Sequence, residues 1–148
     1  MARYSTTVRT SMPPSEAFEY MADLRNFERW DPGVTQVVQV TGEGGGPTAT
    51  FDVDVKSVGG TTTLRYETVR HEAPHTVQVE ARSKLLTSID RIDVVDAGDR
   101  SLVTYDAELR LNGPLALFDP VMRLVFGRIG DRAAAGLERA LGGERVGR

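Results

Sequence analysis

Residues 113–141 constrain this chain most. Phe118, Met122, Val125, Phe126, Ile129, Ala133, Leu137 and Ala140 recur at three- and four-residue spacing. That spacing stacks them on one side of an amphipathic helix. Arg123, Arg128, Asp131, Arg132, Glu138 and Arg139 fall mostly on the other side. Asp119 is placed to cap the main segment, Pro120 suits its first position, and Gly142-Gly143 stops it. From Pro120 to Leu141 the helix would run about 33 Å, enough to cross a small domain. Most of the chain before it alternates as β-strands do, so the simplest arrangement is a curved sheet closing around this helix.

Residues 4–10 alternate and are rich in Thr and Val, which predicts a first strand. Pro13-Pro14-Ser15-Glu16 opens a helix, with Ala17, Phe18, Tyr20, Met21 and Leu24 on its apolar side. Asp23 ends it or caps the next piece. Residues 24–30 predict a second short helix, stopped by Asp31-Pro32-Gly33. Strands follow over 34–41 (through Val38 and Val40), 48–56, 61–69, 76–82, 87–95 and 103–111. The clearest is 48–56, with Ala49, Phe51, Val53 and Val55 on one face and Asp52, Asp54 and Lys56 on the other. Val58-Gly59-Gly60, Ala73-Pro74 and Ala97-Gly98-Asp99 mark turns. The fold class is α+β: a curved seven-stranded antiparallel sheet wrapped around a long C-terminal helix, with two short helices between strands one and two. Residues 1–143 form one domain and 144–148 a flexible tail.

The length of 148 residues suits one domain with a real core. The absence of cysteine excludes disulfides, thiolate nucleophiles and cysteine-held zinc. The first residues carry no apolar signal segment, and no window is apolar enough to span a membrane. A cytoplasmic protein, monomer or homodimer, is expected. A net charge of −3 and pI near 5.4 weaken any nucleic-acid role.

Several motifs carry less than their letters suggest. His71-Glu72-Ala73-Pro74-His75 spells H-E-x-x-H, but that chemistry needs both histidines on one helix face. Pro74 would cost about 3 kcal/mol inside a helix, so the segment is a strand-to-strand turn and no metal site is expected. Residues 42–46 are glycine-rich, yet Pro47 and a strand follow rather than a helix N-terminus, so no phosphate loop forms. No G-x-S-x-G or Gly-Lys-Ser/Thr occurs, and no cofactor is implied.

The Pro13-Pro14-Ser15-Glu16-Ala17-Phe18 segment, the run from Leu24 through Trp30 to Pro32, and Leu109-Arg110-Leu111-Asn112-Gly113-Pro114-Leu115 resemble the START/Bet v 1-like (SRPBCC) superfamily. More closely, they resemble bacterial polyketide cyclase/dehydrase and lipid-transport proteins. The resemblance implies the helix-grip fold, with a cavity between sheet and long helix for a small hydrophobic ligand. The residues point the same way. A strongly bent sheet has more concave surface than one helix fills, and many inward side chains are small. The expected ligand-facing residues are Trp30, Phe51, Val53, Leu64, Tyr66, Val79, Asp90, Ile92, Tyr105, Ala107, Met122, Phe126 and Ile129. Trp30 also packs the second short helix against the sheet.

Polar positions on the inward side are the candidates for chemistry. Asp90 shares a face with Ile92 and Val94, Tyr66 shares one with Leu64, and Tyr105 is inward on its own strand. A buried carboxylate needs a partner, which Arg82 or Arg91 could supply, and Arg70 would join beyond a bulge. Tyr66, Asp90 and Tyr105 would orient a ligand's polar end. As a second reading, they would act as acid and base in an aromatase/cyclase or dehydratase. A protein-interaction module would instead show a large exposed apolar patch, which the polar outer strand positions do not suggest.

Overall fold

The computed structural model describes residues 1–57 and 59–146. Strand β1 (Ala2–Thr10) leads into helix α1 (Pro14–Ala22), a 3-10 turn (Leu24–Asn26) and helix α2 (Phe27–Trp30). Strands β2 (Val34–Thr41), β3 (Thr50–Ser57), β4 (Gly60–Glu72), β5 (Thr76–Arg82), β6 (Leu86–Asp96) and β7 (Ser101–Leu111) follow. A second 3-10 turn (Gly113–Phe118) enters helix α3 (Asp119–Leu141), and a two-residue strand β8 (Glu144–Arg145) ends the described chain. The sheet is antiparallel with order β2-β3-β4-β5-β6-β7-β1-β8. This is the expected helix-grip architecture, with an eighth strand added.

That strand corrects the expected tail, because Val8 and Arg9 pair with Arg145 and Glu144. Residues 147 and 148 of the tail, and Val58 of the predicted turn, lie outside the described residues. Only residues 73–75 turn β4 onto β5, because His71 and Glu72 still belong to β4 and pair with Val77 and Thr76. Asp23 does cap the next piece: its side chain accepts from the Arg25 backbone N–H at 3.1 Å. Asp119 does not cap α3, and its carboxylate instead meets the N-terminal amine at 2.6 Å. In β2 a register shift between Val34 and Gln36 turns Val34 and Val37 inward and leaves Val38 and Val40 outside. Plain alternation cannot anticipate this, since one extra residue swaps every later side chain to the other face.

The core lies between the concave face of the sheet and the two short helices. Trp30, Phe51, Met21, Leu24, Ile92 and Leu137 are its largest fully buried side chains. Each contributes roughly 1.5–3 kcal/mol by leaving water. α3 joins this core mainly along its second half, where Ala133, Ala134, Leu137 and Leu141 are buried, and Phe126 of its first half packs against it. In its first half Met122 and Phe126 are half-buried, while Val125 and Ile129 are exposed, as is Phe118 in the turn before it. The sheet therefore grips one end of the helix, not its whole length.

Two glycines of α3 make that grip. A Cβ on Gly130 would collide with the ring of Tyr4 in β1, and one on Gly136 would collide with the carbonyl oxygen of Trp30. These glycines are contact points rather than places for the helix to bend. Gly127 has open space around it. Gly136→Ala should therefore destabilise the fold by about 2 kcal/mol, overpacking outweighing the better helix propensity. Gly127→Ala should stabilise it by roughly 0.5–1 kcal/mol. Chemical denaturation of the two variants checks both signs.

Candidate functional site

Inward positions of neighbouring strands line up in rows. Tyr66 pairs with Ala81, Ala81 with Ser88 and Ser88 with Leu109. One row over, Val79 pairs with Asp90, Asp90 with Ala107 and Ala107 with Tyr4. Next comes Val77 with Ile92 and Ile92 with Tyr105. Alternation on three strands thus brings Tyr66, Ser88, Asp90 and Tyr105 together in the middle of an apolar floor.

The three expected polar residues do converge, but with other partners. Tyr105 donates its hydroxyl proton to Asp90 Oδ2 at 3.0 Å. Tyr66 shares a 2.6 Å hydrogen bond with Ser88 Oγ. The arginines point away: Arg82 pairs with Glu80 at 2.7 Å and Arg91 with Asp93 at 3.1 Å. The bulge beyond Thr68 exists, yet it leaves Arg70 exposed beside Glu72. Asp90 is 5% exposed and has no cationic partner among the described residues.

Burial dominates the electrostatics here. It pushes the Asp90 carboxyl up to about 7, the Tyr105 hydrogen bond pulls against this, and the charges of Asp31 and Asp106 add to the rise. The Tyr105 and Tyr66 hydroxyls lie well above the usual phenol range, first through burial and then through the charge of Asp90. Asp31, directly after Trp30, is raised by burial, while its bond from the Gly33 N–H at 2.9 Å works the other way.

Above the cluster, the Trp30 ring meets Tyr105 edge-on at 5.1 Å and Phe27 at 4.6 Å. The Trp30 indole N–H is buried with no hydrogen-bond partner, and so is the Thr68 hydroxyl. A buried polar group left unpaired is costly and calls for an explanation. Ser88, Thr68, Asp31 and the Trp30 N–H were not singled out from sequence. Ser88 and Thr68 sit two residues from Asp90 and Tyr66, so strict alternation would have found them.

The apolar wall residues divide. Phe51, Val53, Val79 and Ile92, expected to line a cavity, are 0–1% exposed and closely packed. Leu64, Tyr66, Ser88, Asp90, Tyr105 and Ala107 keep 5–7%. Two hollows on the molecule lie elsewhere. One, about 480 Å³, is lined by Asp23, Arg25, Asn26, Glu28 and Arg29, and the other, about 350 Å³, by residues 9–11, 100 and 142–144. Trp30 and Phe27 are buried over this floor and both meet the Tyr105 ring edge-on. No group of three or more His, Cys, Asp or Glu able to hold a metal ion stands among the described residues. No helix there is long and apolar enough to cross a membrane.

No curated protein matches the chain. A START superfamily protein from Mycobacterium smegmatis superposes with a TM-score of 0.77 at 15% identity, covering 96% of this chain and 98% of that one. The di-domain ARO/CYC StfQ of the steffimycin biosynthetic pathway superposes with a TM-score of 0.68 at 12% identity, over 95% of this chain and 50% of that one. An HSP90 activator from Plasmodium falciparum gives 0.63 at 13% identity, over 99% of this chain and all (100%) of that one. At these identities the likeness shows the fold alone. The model of the polyketide cyclase/dehydrase and lipid transport family matches residues 1–142, and this chain belongs to that family.

Proposed function

We propose that this protein binds a small hydrophobic molecule with a polar end, such as a lipid, a quinone or a polyketide-like aromatic. Residues 1–145 act as one domain, in the cytoplasm, and the concave face of the sheet receives the guest. The observation that carries this is the buried Asp90 without a cation, set among Tyr66, Ser88, Tyr105 and an indole N–H with nothing to donate to. Such a cluster weakens the apo fold, and a ligand oxygen would satisfy it. Leu64, Ala107, Met122 and Phe126 supply apolar contact nearby, and Ile129 stands at the exposed rim. Phe51, Val53, Val79 and Ile92 act as the floor beneath. Small-molecule sites have this composition: apolar walls and a few convergent polar groups.

Native mass spectrometry of the freshly purified protein, with extraction of what it carries, tests the reading. A stoichiometric hydrophobic guest is expected. Ala107→Trp should abolish it while the fold persists by circular dichroism. A wild-type protein that stays free of guest when offered lipids, quinones and polyphenols would sink the proposal.

A second reading is favoured by one feature, a carboxyl poised near neutrality with a tyrosine hydrogen-bonded to it. In an aromatase/cyclase or dehydratase, Asp90 would take a proton beside an enolisable carbonyl and Tyr105 would steady the resulting oxyanion. The family resemblance and the ARO/CYC neighbours support it. Tyr66, bound to Ser88, would only orient substrate. Asp90→Asn should then lower turnover of a poly-β-keto substrate at least a hundredfold with KM little changed, and unchanged turnover removes this reading.

The same carboxyl predicts the pH dependence of stability. Its folded value near 7 lies above the ordinary 3.8, so the folded state binds the extra proton between those limits. Stability therefore rises as pH falls from about 7 to about 4 and is lost as pH climbs through 7. Relative to Asp90→Asn, the wild type should gain roughly 2–4 kcal/mol across that window. Melting curves of both proteins at matched pH check it, and parallel curves would refute the buried-charge assignment.

A further inference from the structure

The solvent side of α3 changes character along its length. Val121, Leu124 and Val125 share one side of the helix with Arg128, Arg132 and Arg139, because three-, four- and seven-residue steps line up on a 3.6-residue turn. The opposite side carries Gly130, Ala133 and Leu137 into the core. Val121 is 61% and Leu124 71% exposed, and Leu117 in the preceding turn is 84% exposed. Large apolar side chains grouped like this on a monomer mark a surface that meets something.

The charge around them is equally one-sided. Nine arginines elsewhere, from Arg3 to Arg145, each pair with a carboxylate. Arg29, Arg100 and Arg123 form no such pair and lie off this side of the helix; among the described residues Arg128, Arg132 and Arg139 also form none, and these three are exposed together along one side. The acids flanking the stripe are already engaged. Glu138 meets Arg145 at 2.9 Å, and Asp131 lies 4.0 Å from Arg145 and accepts from the Tyr4 hydroxyl at 2.9 Å. A protein of net charge −3 thus carries a basic stripe free of ion pairs, with Arg139 only within coulombic reach of Glu138, that continues from an apolar end.

A second copy is a poor occupant. Two-fold pairing that buries the whole stripe would be centred near residue 130 and would set Arg128 of each copy against Arg132 of the other. An anionic bilayer surface offers both complements at once, apolar depth and phosphate oxygens that guanidinium binds bidentately. From Val121 to Arg139 the stripe spans about 27 Å along the helix. With the apolar end tilted down, the arginines can reach back to the headgroups.

We propose that the first turns of α3 and the turn before them dock this protein on an anionic phospholipid surface, with Leu117, Val121 and Leu124 immersed and Arg128, Arg132 and Arg139 on lipid phosphates. The docking does not rest on the ligand proposed above. Co-sedimentation of the full chain with vesicles tests it. Binding is expected to an equimolar phosphatidylcholine/phosphatidylglycerol mixture, not to phosphatidylcholine alone, and should fall with added salt. Replacing the three arginines by Gln should weaken binding about fivefold per residue. The double variant Val121→Ser/Leu124→Ser should weaken it about tenfold or more. All five positions are exposed, so these variants should melt as the wild type does. No binding of the wild type to anionic vesicles, or full binding by the arginine triple variant, overturns the proposal. So does a dimer in solution that Leu124→Ser dissolves, because the face would then be covered by a second copy.

Discussion

The contact between Gly136 and the Trp30 carbonyl governs how the helix, the core and the polar cluster fit together. Only a residue without a Cβ lets α3 come this close to the end of α2. That approach pins the second half of α3 over the short helices and β1, where Gly130 lies on Tyr4. It also fixes Trp30, whose ring then stands edge-on against Tyr105. Moving the helix outward by the width of a methyl group would loosen all of these contacts, because close-packed interiors pass strain on rather than absorb it.

The polar cluster is a conflict the fold does not resolve by itself. Removing Asp90 from water is unfavourable, and the surrounding arginines are spent on outward carboxylates. Tyr105 offsets part of that cost with one hydrogen bond. Asp31 makes it worse, since two carboxylates near each other resist joint ionisation. A core built only for stability would place apolar side chains at 90 and 31. A local rule broken in the middle of an otherwise apolar core is a mark of a binding or reacting site.

How far the sequence speaks depends on how local the cause is. Element order, the turns and the inward face of β3 through β7 follow from alternation and from glycine and proline, so they could be read directly. The inward placement of Tyr66, Asp90 and Tyr105 follows from the same two-residue period. Their partners do not, because Asp90 takes Tyr105 rather than an arginine through strand register, a long-range property. β2 shows the limit from another side: a single irregularity after Val34 reverses the faces that alternation assigns to Val38 and Val40. The long helix shows a third limit. Periodicity marks its apolar stripe over eight positions but cannot say how far along it the sheet reaches. The same pattern serves for a buried half around Leu137 and an exposed half around Val125.

That division of the helix has a physical consequence. The gripped half carries small residues at its contacts, Gly130, Ala133 and Gly136, and the open half carries large ones, Met122, Leu124, Val125 and Phe126. Small residues permit close backbone approach, and large ones need a thick apolar partner. The sheet supplies no such partner beyond Phe126, which alone of that half packs against the core. The open half is therefore the least anchored part of the helix, and local opening free energies are lowest where buried contacts are fewest. Its inner side touches the core through Phe126, and its outer side carries the apolar and basic stripe. Anything that holds the outer side would bias the position of the inner one, because both belong to the same rigid turns.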